Sequence, residues 1–167
     1  ELFYFQMDGR VLIDLMTYAR RNLSLSSYKL DNVASTYINE KVKKFKHCGN
    51  NTIIYTNSVY GIKEEQFITI SYFDGLTDNK LDDKFKIIEI NVDGELIDDK
   101  KFFMIIVEGL ISLDIMEYKK INWCHAKDDV SPKDLFRLFK GSGIDRGIIA
   151  KYCIMDCVLV IKLLEKL

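Results

Sequence analysis

The chain has little proline, little histidine and no surplus of either charge. Pro132 is the only proline and His47 and His125 are the only histidines in 167 residues. Lys+Arg number 24 against 25 Asp+Glu, a net charge of −1, which excludes a strongly basic nucleic-acid coat protein. It does not exclude a nuclease whose basic groups gather around a cleft. No apolar run reaches the roughly 20 residues of a membrane helix; the longest, Phe102 to Leu113, is broken by Glu108. No signal peptide, internal repeat or low-complexity segment is visible. The four cysteines, Cys48, Cys124, Cys153 and Cys157, form no secreted disulfide framework and read as reduced thiols of an intracellular protein.

What is present supports a core. Apolar residues make up 48% of the chain, and the length suits one domain or a domain with a large insertion. The opening Glu1-Leu2-Phe3-Tyr4-Phe5 lacks an initiator methionine and reads as the middle of a longer protein. Three zones differ in texture. In residues 1–45, Gly9 to Ile13 predicts a short strand, and Asp14 begins a helix to about Asn22 that Arg20 and Arg21 close against its dipole. Ser26-Ser27 precedes a second helix, Tyr28 to Tyr37, with Leu30, Val33, Ala34 and Tyr37 as its stripe. Residues 46–129 are rich in Ile, Phe, Tyr and Thr. Ile53 to Tyr55, Gln66 to Tyr72, Phe85 to Val92 and Phe102 to Val107 predict strands, with Asp93-Gly94 as a hairpin turn. This zone reads as a β-rich insertion, bounded by Lys43-Lys44-Phe45-Lys46 and Lys127-Asp128-Asp129. In residues 130–167, Ser131 is an N-cap with Pro132 at N1 and Asp134 at N3 of a helix to Phe139 or Lys140. Gly141-Ser142-Gly143 ends it. A longer helix follows from Ile144 or Asp145, with Ile148, Ile149, Tyr152, Asp156, Leu159, Leu163 and Leu167 near one stripe.

On that last helix Tyr152 and Asp156 are four residues apart and share a face. The carboxylate can hold a hard cation, and the phenol can orient an attacking water, the pairing that metal-dependent phosphodiester hydrolysis uses. Spacing alone is weak: Tyr4 and Asp8 repeat it, and the plain alternative is a helix-surface hydrogen bond or a loop cap. The surroundings carry more. A carboxylate among Cys153, Ile154, Cys157 and Val158 is costly unless paired, hydrogen-bonded or metal-bound. His47-Cys48 and Cys124-His125 offer four soft ligands to zinc if the ends of the insertion meet, but adjacent residues point apart, so incidental burial is favoured. Asp14 reads as an N-cap in preference to a metal ligand. Lys41, Lys43, Lys44 and Lys46 read either as a solvated edge or as contacts to DNA phosphates.

The outer zones together resemble a known family. Gly9-Arg10-Val11-Leu12-Ile13-Asp14-Leu15, Arg20-Arg21 and Ser27-Tyr28-Lys29-Leu30-Asp31-Asn32-Val33-Ala34 resemble the stretch after the second exonuclease motif of family B DNA polymerases. Val130 to Leu138, Asp145 to Lys151 and Tyr152-Cys153-Ile154-Met155-Asp156-Cys157 resemble the approach to the third motif and the motif itself. The insertion is similar to that in polymerases of large DNA viruses of eukaryotes. The resemblance implies an α/β fold (an α+β piece), part of a ribonuclease H-like 3′–5′ exonuclease core, within an intact DNA-directed DNA polymerase that proofreads. It implies Mg²⁺ or Mn²⁺, two ions in the intact site, with Asp156 a metal ligand and Tyr152 orienting the nucleophilic water. It implies as partners a DNA primer-template with its single-stranded 3′ end, the rest of the polymerase chain and a processivity factor, with no membrane, at an intracellular site of replication, nucleus or cytoplasm. The first motif, an Asp-x-Glu on the first strand, has no counterpart here, and the second motif's aspartate lies upstream. One aspartate cannot hold two ions about 4 Å apart, so this piece is expected to be inactive alone.

Two other classes remain open from the residues. A non-catalytic binding module, its insertion touching DNA or a partner, predicts metal-independent DNA affinity that falls steeply with salt. A purely structural piece predicts no gain in melting temperature with Mn²⁺ or an oligonucleotide.

Overall fold

The computed structural model describes residues 8–97, 100–114, 116–126 and 130–167. Residues 1–7, which include Tyr4, and 127–129, the expected end of the insertion, lie outside them.

The helices begin where short polar side chains satisfy the first free amides. Asp14 caps α1 (Leu15–Asn22), its Oδ1 accepting from Met16 N at 2.9 Å and Thr17 N at 3.1 Å. Arg20 and Arg21 stand in its last turn. α2 (Leu30–Tyr37) starts two residues later than expected, and its N-cap residue Lys29 makes no side-chain cap bond. Tyr28 instead turns its hydroxyl onto Leu23 O at 2.7 Å. Ser131 caps α3 (Pro132–Phe139) by accepting from Asp134 N at 3.1 Å. Ser142 and Asp145 form a reciprocal capping box at the start of α4 (Gly143–Lys166).

Seven strands fill the middle: β1 (Asn39–Cys48), β2 (Asn51–Thr56), β3 (Phe67–Phe73), β4 (Asp78–Lys80), β5 (Phe85–Ile97), β6 (Lys100–Glu108) and β7 (Lys120–Ala126). All pairings are antiparallel. The order β3-β5-β6-β2-β1-β7 returns to β3, because β7 pairs with β3 from Phe67↔Ala126 to Phe73↔Lys120. Six strands therefore close on themselves, and β4 lies against the far end of β3. Closure pairs the ladder edges that an open sheet would present to other chains. The fold is mixed α+β with an antiparallel sheet.

Three expectations are corrected. Gly9 to Ile13 forms no strand: Val11, Leu12 and Ile13 are exposed and irregular, and they pair with no strand of the sheet among the described residues. Asp93-Gly94 does not turn a hairpin. It lies inside β5, where the register against β6 slips between Asn91 and Glu95. Asn91 Oδ1 accepts from Asp93 N and Gly94 N at 2.9 and 3.1 Å, and Gly94 has φ +69°. A left-handed Gly suits a bulge as well as a turn, and the strand runs on past it. Third, β1, β4 and β7 were not expected, and β1 runs through the 45/46 position. Its Asn-Glu-Lys-Val-Lys-Lys-Phe-Lys-His-Cys points most of its polar groups to water and buries only Val42 fully, so its strand character is hidden by lysine.

The core is continuous across all three zones. Ile54, Ile68, Ile70, Ile87, Ile105, Val107, Ile121 and Trp123 from the strands meet Val33 and Ala34 of α2 and Leu159 and Leu163 of α4. Two further contacts fasten α4 to the β2–β3 connection. Tyr60 donates to Glu165 Oε2 at 2.6 Å, and Lys162 Nζ donates to Gly61 O at 2.6 Å. α4 is apolar on its outer side too, with Ile144, Ile154 and Ile161 exposed. No helix of the described residues is long and apolar enough to cross a membrane.

Candidate functional site

α4 carries Tyr152 and Asp156 one turn apart, both half-buried and both facing a cleft of about 320 Å³. Opposite them stand the start of β3 and the turn before it, Lys63 to Phe67, and the end of β7, His125 and Ala126. The helix is seated against this wall by Leu159 and Leu163, three and seven residues beyond Asp156 on the same stripe. Gln66 bridges the gap, its Nε2 at 3.8 Å from Met155 Sδ and its Oε1 accepting from Lys63 N at 2.9 Å. The stripe predicted from periodicity is therefore the one that turns inward, and Asp156 is not directed into open solvent. It does not, however, sit beside a strand formed by Gly9 to Ile13, since that strand is absent.

Sequence reasoning missed the opposite wall. Glu65, whose φ is +67°, holds Lys86 Nζ at 2.7 Å, which keeps its carboxyl below the usual range. His125 is the most unusual group there. It is 5% exposed, its backbone N donates to Ile38 O at 2.9 Å, and its Nδ1 has no hydrogen-bond partner among the described residues. Burial, reinforced by the Lys162 ammonium, lowers its pKa from 6.5 to about 4. The unfolded chain thus takes up this proton first as pH falls. The stabilising contribution is complete above pH 6.5 and is lost progressively down to about 4. A shift of that size is worth about 3 kcal/mol. The melting temperature of the chain should accordingly fall between pH 7 and 4.5, and His125→Gln should remove much of that fall. An equal fall in both proteins would refute the assignment to His125.

The other candidate residues separate. Asp14 is occupied as a cap, with Thr17 Oγ1 donating to its second oxygen at 2.7 Å. The two His-Cys pairs do not meet. Cys124 lies opposite Asn39 at one end of β1, whereas Cys48 is at the other end, nine residues away and exposed. At about 3.3 Å per residue that is roughly 30 Å along the strand. Cys124 rests instead against Ser71 Oγ at 3.1 Å, and burial raises its thiol pKa. Lys41, Lys43, Lys44 and Lys46 are exposed along β1, away from the cleft-lining residues. Among the described residues no three His, Cys, Asp or Glu side chains gather as a metal site. The donor set of the described residues does not fit a two-ion cage.

Fold and cleft thus define a mixed α+β segment that presents a phenol and a carboxylate together beside a closed sheet. Over nearly its whole length this segment is similar to DNA polymerases of large DNA viruses. It is 39% identical to the DNA polymerase of Pyramimonas orientalis virus over 166 residues, 99% of this chain and 11% of that protein. It is 37% identical to the DNA polymerase of Phaeocystis pouchetii virus, covering 99% of this chain and 15% of the relative. It is 29% identical to the DNA polymerase of Acanthamoeba polyphaga mimivirus, over 93% of this chain and 11% of that protein. The chain thus spans between a tenth and a sixth of the curated relatives it matches, and the likeness extends through the strand-rich middle as well as the outer blocks. No family model matches it.

Proposed function

We propose that this chain is a segment of the 3′–5′ proofreading exonuclease of a viral family B DNA polymerase. The observation that carries the reading is the cleft: α4 turns Tyr152 and Asp156 into one recess. Residues 1–45 and 130–167 belong to a ribonuclease H-like core whose remaining strands lie outside this chain, and residues 46–129 are its insertion. The closed sheet and the irregular Gly9–Ile13 segment are what the described residues adopt without those strands.

Asp156 supplies one carboxylate to a cation site, and the other ligands come from the rest of the polymerase. Were the other ligands supplied by the rest of the polymerase, Mg²⁺ or Mn²⁺ held in part by Asp156 would supply Lewis-acid stabilisation of the charge on the phosphoryl group. Tyr152 holds the attacking water by its hydroxyl, and the mispaired single-stranded 3′ end is the substrate. The cleft wall from Lys63 to Phe67 narrows the space in which that end lies. The segment alone is inactive, and the primer-template, the remaining polymerase chain and a processivity factor are its partners at an intracellular replication site. Lys41, Lys43 and Lys44 contact DNA phosphates.

The test uses the full-length polymerase. Tyr152→Phe should slow digestion of a single-stranded 3′ end by about 10- to 100-fold, because a misplaced nucleophile loses that much. Primer extension should be unchanged. Digestion at the unaltered rate would end the reading of Tyr152.

A further inference from the structure

The connection between β2 and β3, residues 57–66, serves both sides of the cleft. Its later part, Lys63 to Gln66, belongs to one wall. Its earlier part grips the helix that forms the other wall. Tyr60 donates to Glu165 Oε2 at 2.6 Å, and its hydroxyl stands 3.3 Å from Lys162 O. Lys166 Nζ lies 4.9 Å from the centre of the Tyr60 ring. Lys162, half-buried, donates from Nζ to Gly61 O at 2.6 Å. Further along, Gln66 Nε2 lies 3.8 Å from Met155 Sδ. Rising numbers on the connection thus meet falling numbers on α4. The connection runs antiparallel beside the helix for about 15 Å, from Glu165 back to Met155.

Both ends of the connection are anchored in the sheet side of the molecule. Glu65 N donates to Ile87 O at 2.9 Å and Ile87 N to Gln66 O at 2.8 Å, which ties the wall to β5. Gly61 has φ +84°, and a Cβ added there would meet Ile38 Cγ2 at 2.5 Å, so only glycine fits this approach. Ile38 is fully buried, and its O accepts from His125 N at 2.9 Å. The connection is therefore seated on the residue that also holds the histidine of the cleft. The apolar seat of α4, Leu159 and Leu163, is non-directional and resists slide or roll of the helix weakly. The bonds from Tyr60 and Lys162 are directional and fix both.

We propose that the β2–β3 connection is a clasp that sets the spacing of the two cleft walls, with Tyr60 a positioning residue for Tyr152 and Asp156. The proposal rests on the reading of the cleft as a nuclease site and gives the strand-rich middle of the chain a part in it. Tyr60 itself lines no part of the cleft and acts through α4. A merely structural tie predicts lower stability on its loss and an unaltered rate in the folded enzyme. A clasp predicts a slower rate in an enzyme that is still folded.

The experiment compares the full-length polymerase with Tyr60→Phe, Glu165→Gln and the double variant Tyr60→Phe/Tyr152→Phe. Phenylalanine keeps the ring beneath Lys166 and removes the hydroxyl, whereas glutamine keeps an acceptor for that hydroxyl. Tyr60→Phe should lower kcat for digestion of a single-stranded 3′ end about 10-fold, with KM within about twofold, because a misplaced reacting group loses rate and not binding. Glu165→Gln should stay within about threefold of the unaltered enzyme, since a neutral hydrogen bond replaces a charged one. In the Tyr152→Phe background, adding Tyr60→Phe should lower kcat by less than about threefold, because the hydroxyl it misplaces is already gone. Amide hydrogen exchange gives a readout apart from activity: Tyr60→Phe should speed exchange over residues 155–165 by about 3- to 10-fold and leave β2 unaltered. Unchanged exchange with unchanged kcat overturns the clasp, as does an equal loss of kcat in both backgrounds or a loss confined to KM. Faster exchange in Tyr60→Phe with normal 3′ digestion by Tyr152→Phe leaves the clasp standing and removes the nuclease reading. Unaltered exchange and kcat in Tyr60→Phe with slowed digestion by Tyr152→Phe does the reverse.

Discussion

Asp156→Ala in the full-length polymerase should reduce degradation of a single-stranded 3′ end by about 10²- to 10³-fold, the loss typical when one preorganised electrostatic contact to a transition state is removed. Primer extension should continue, with mismatched ends left in place. The physical argument starts from cost. A half-buried carboxylate on an apolar helix is retained at a desolvation penalty unless other groups satisfy it. Asp156 is half-buried, engages a neighbouring group and stands at the edge of a cleft that Tyr152 also lines. A carboxylate kept for structure alone predicts a different result. Asp156→Asn would then preserve digestion, because the amide fills the same volume and still hydrogen-bonds. If Asp156 ligates a cation, Asn fails almost as badly as Ala, since the charge is what holds the ion. Normal digestion by either variant would remove Asp156 from the site. The melting temperature should change little in both, as Asp156 is not among the residues of the continuous core.

Trp123→Ala should destabilise the chain by about 3 to 5 kcal/mol, read as a fall in the urea midpoint at unchanged slope. Trp123 is 1% exposed and sits on β7 between Glu40 of β1 and Ile70 of β3, where the sheet closes. Its Nε1 donates to Thr56 Oγ1 at 2.9 Å, and that hydroxyl stands 3.1 Å from Lys41 O. Alanine leaves a cavity at the seam and also removes the donor to a buried oxygen. Trp123→Phe should cost less, since it restores most of the volume but not the hydrogen bond. The comparison therefore separates packing from polarity. A loss under 1 kcal/mol for the alanine variant would mean that the seam does not hold the sheet closed. Because α2 and α4 share this core, the destabilised chain should also lose the cleft, and 3′ digestion should weaken on mild heating in the full-length enzyme.

The helices were legible because their determinants are local. Asp14, Ser131 and Ser142 each satisfy amides two or three residues ahead, and the 3.6-residue period of α4 places Tyr152, Asp156, Leu159 and Leu163 on one stripe without reference to the rest of the chain. The strands were partly legible. Ile53 to Tyr55 and Phe102 to Val107 announce themselves by composition, whereas β1 conceals one buried valine among lysines, and β7 mixes Lys, Asn, Trp, Cys and His. Such segments become strands only when a neighbour supplies their hydrogen bonds.

The sequence by itself determined where the helices start, which of their faces turn inward and that a phenol and a carboxylate share one of those faces. Tertiary structure alone decided that the sheet closes, that Asp93-Gly94 bulges and does not turn, that Gly9 to Ile13 finds no ladder, and that Lys63 to Phe67 and His125 face Tyr152 and Asp156 across one cleft. The division follows the range of the forces. Caps and helical periods are settled within a few residues, whereas ladder pairing and the two walls of a cleft depend on partners that the chain brings together only on folding.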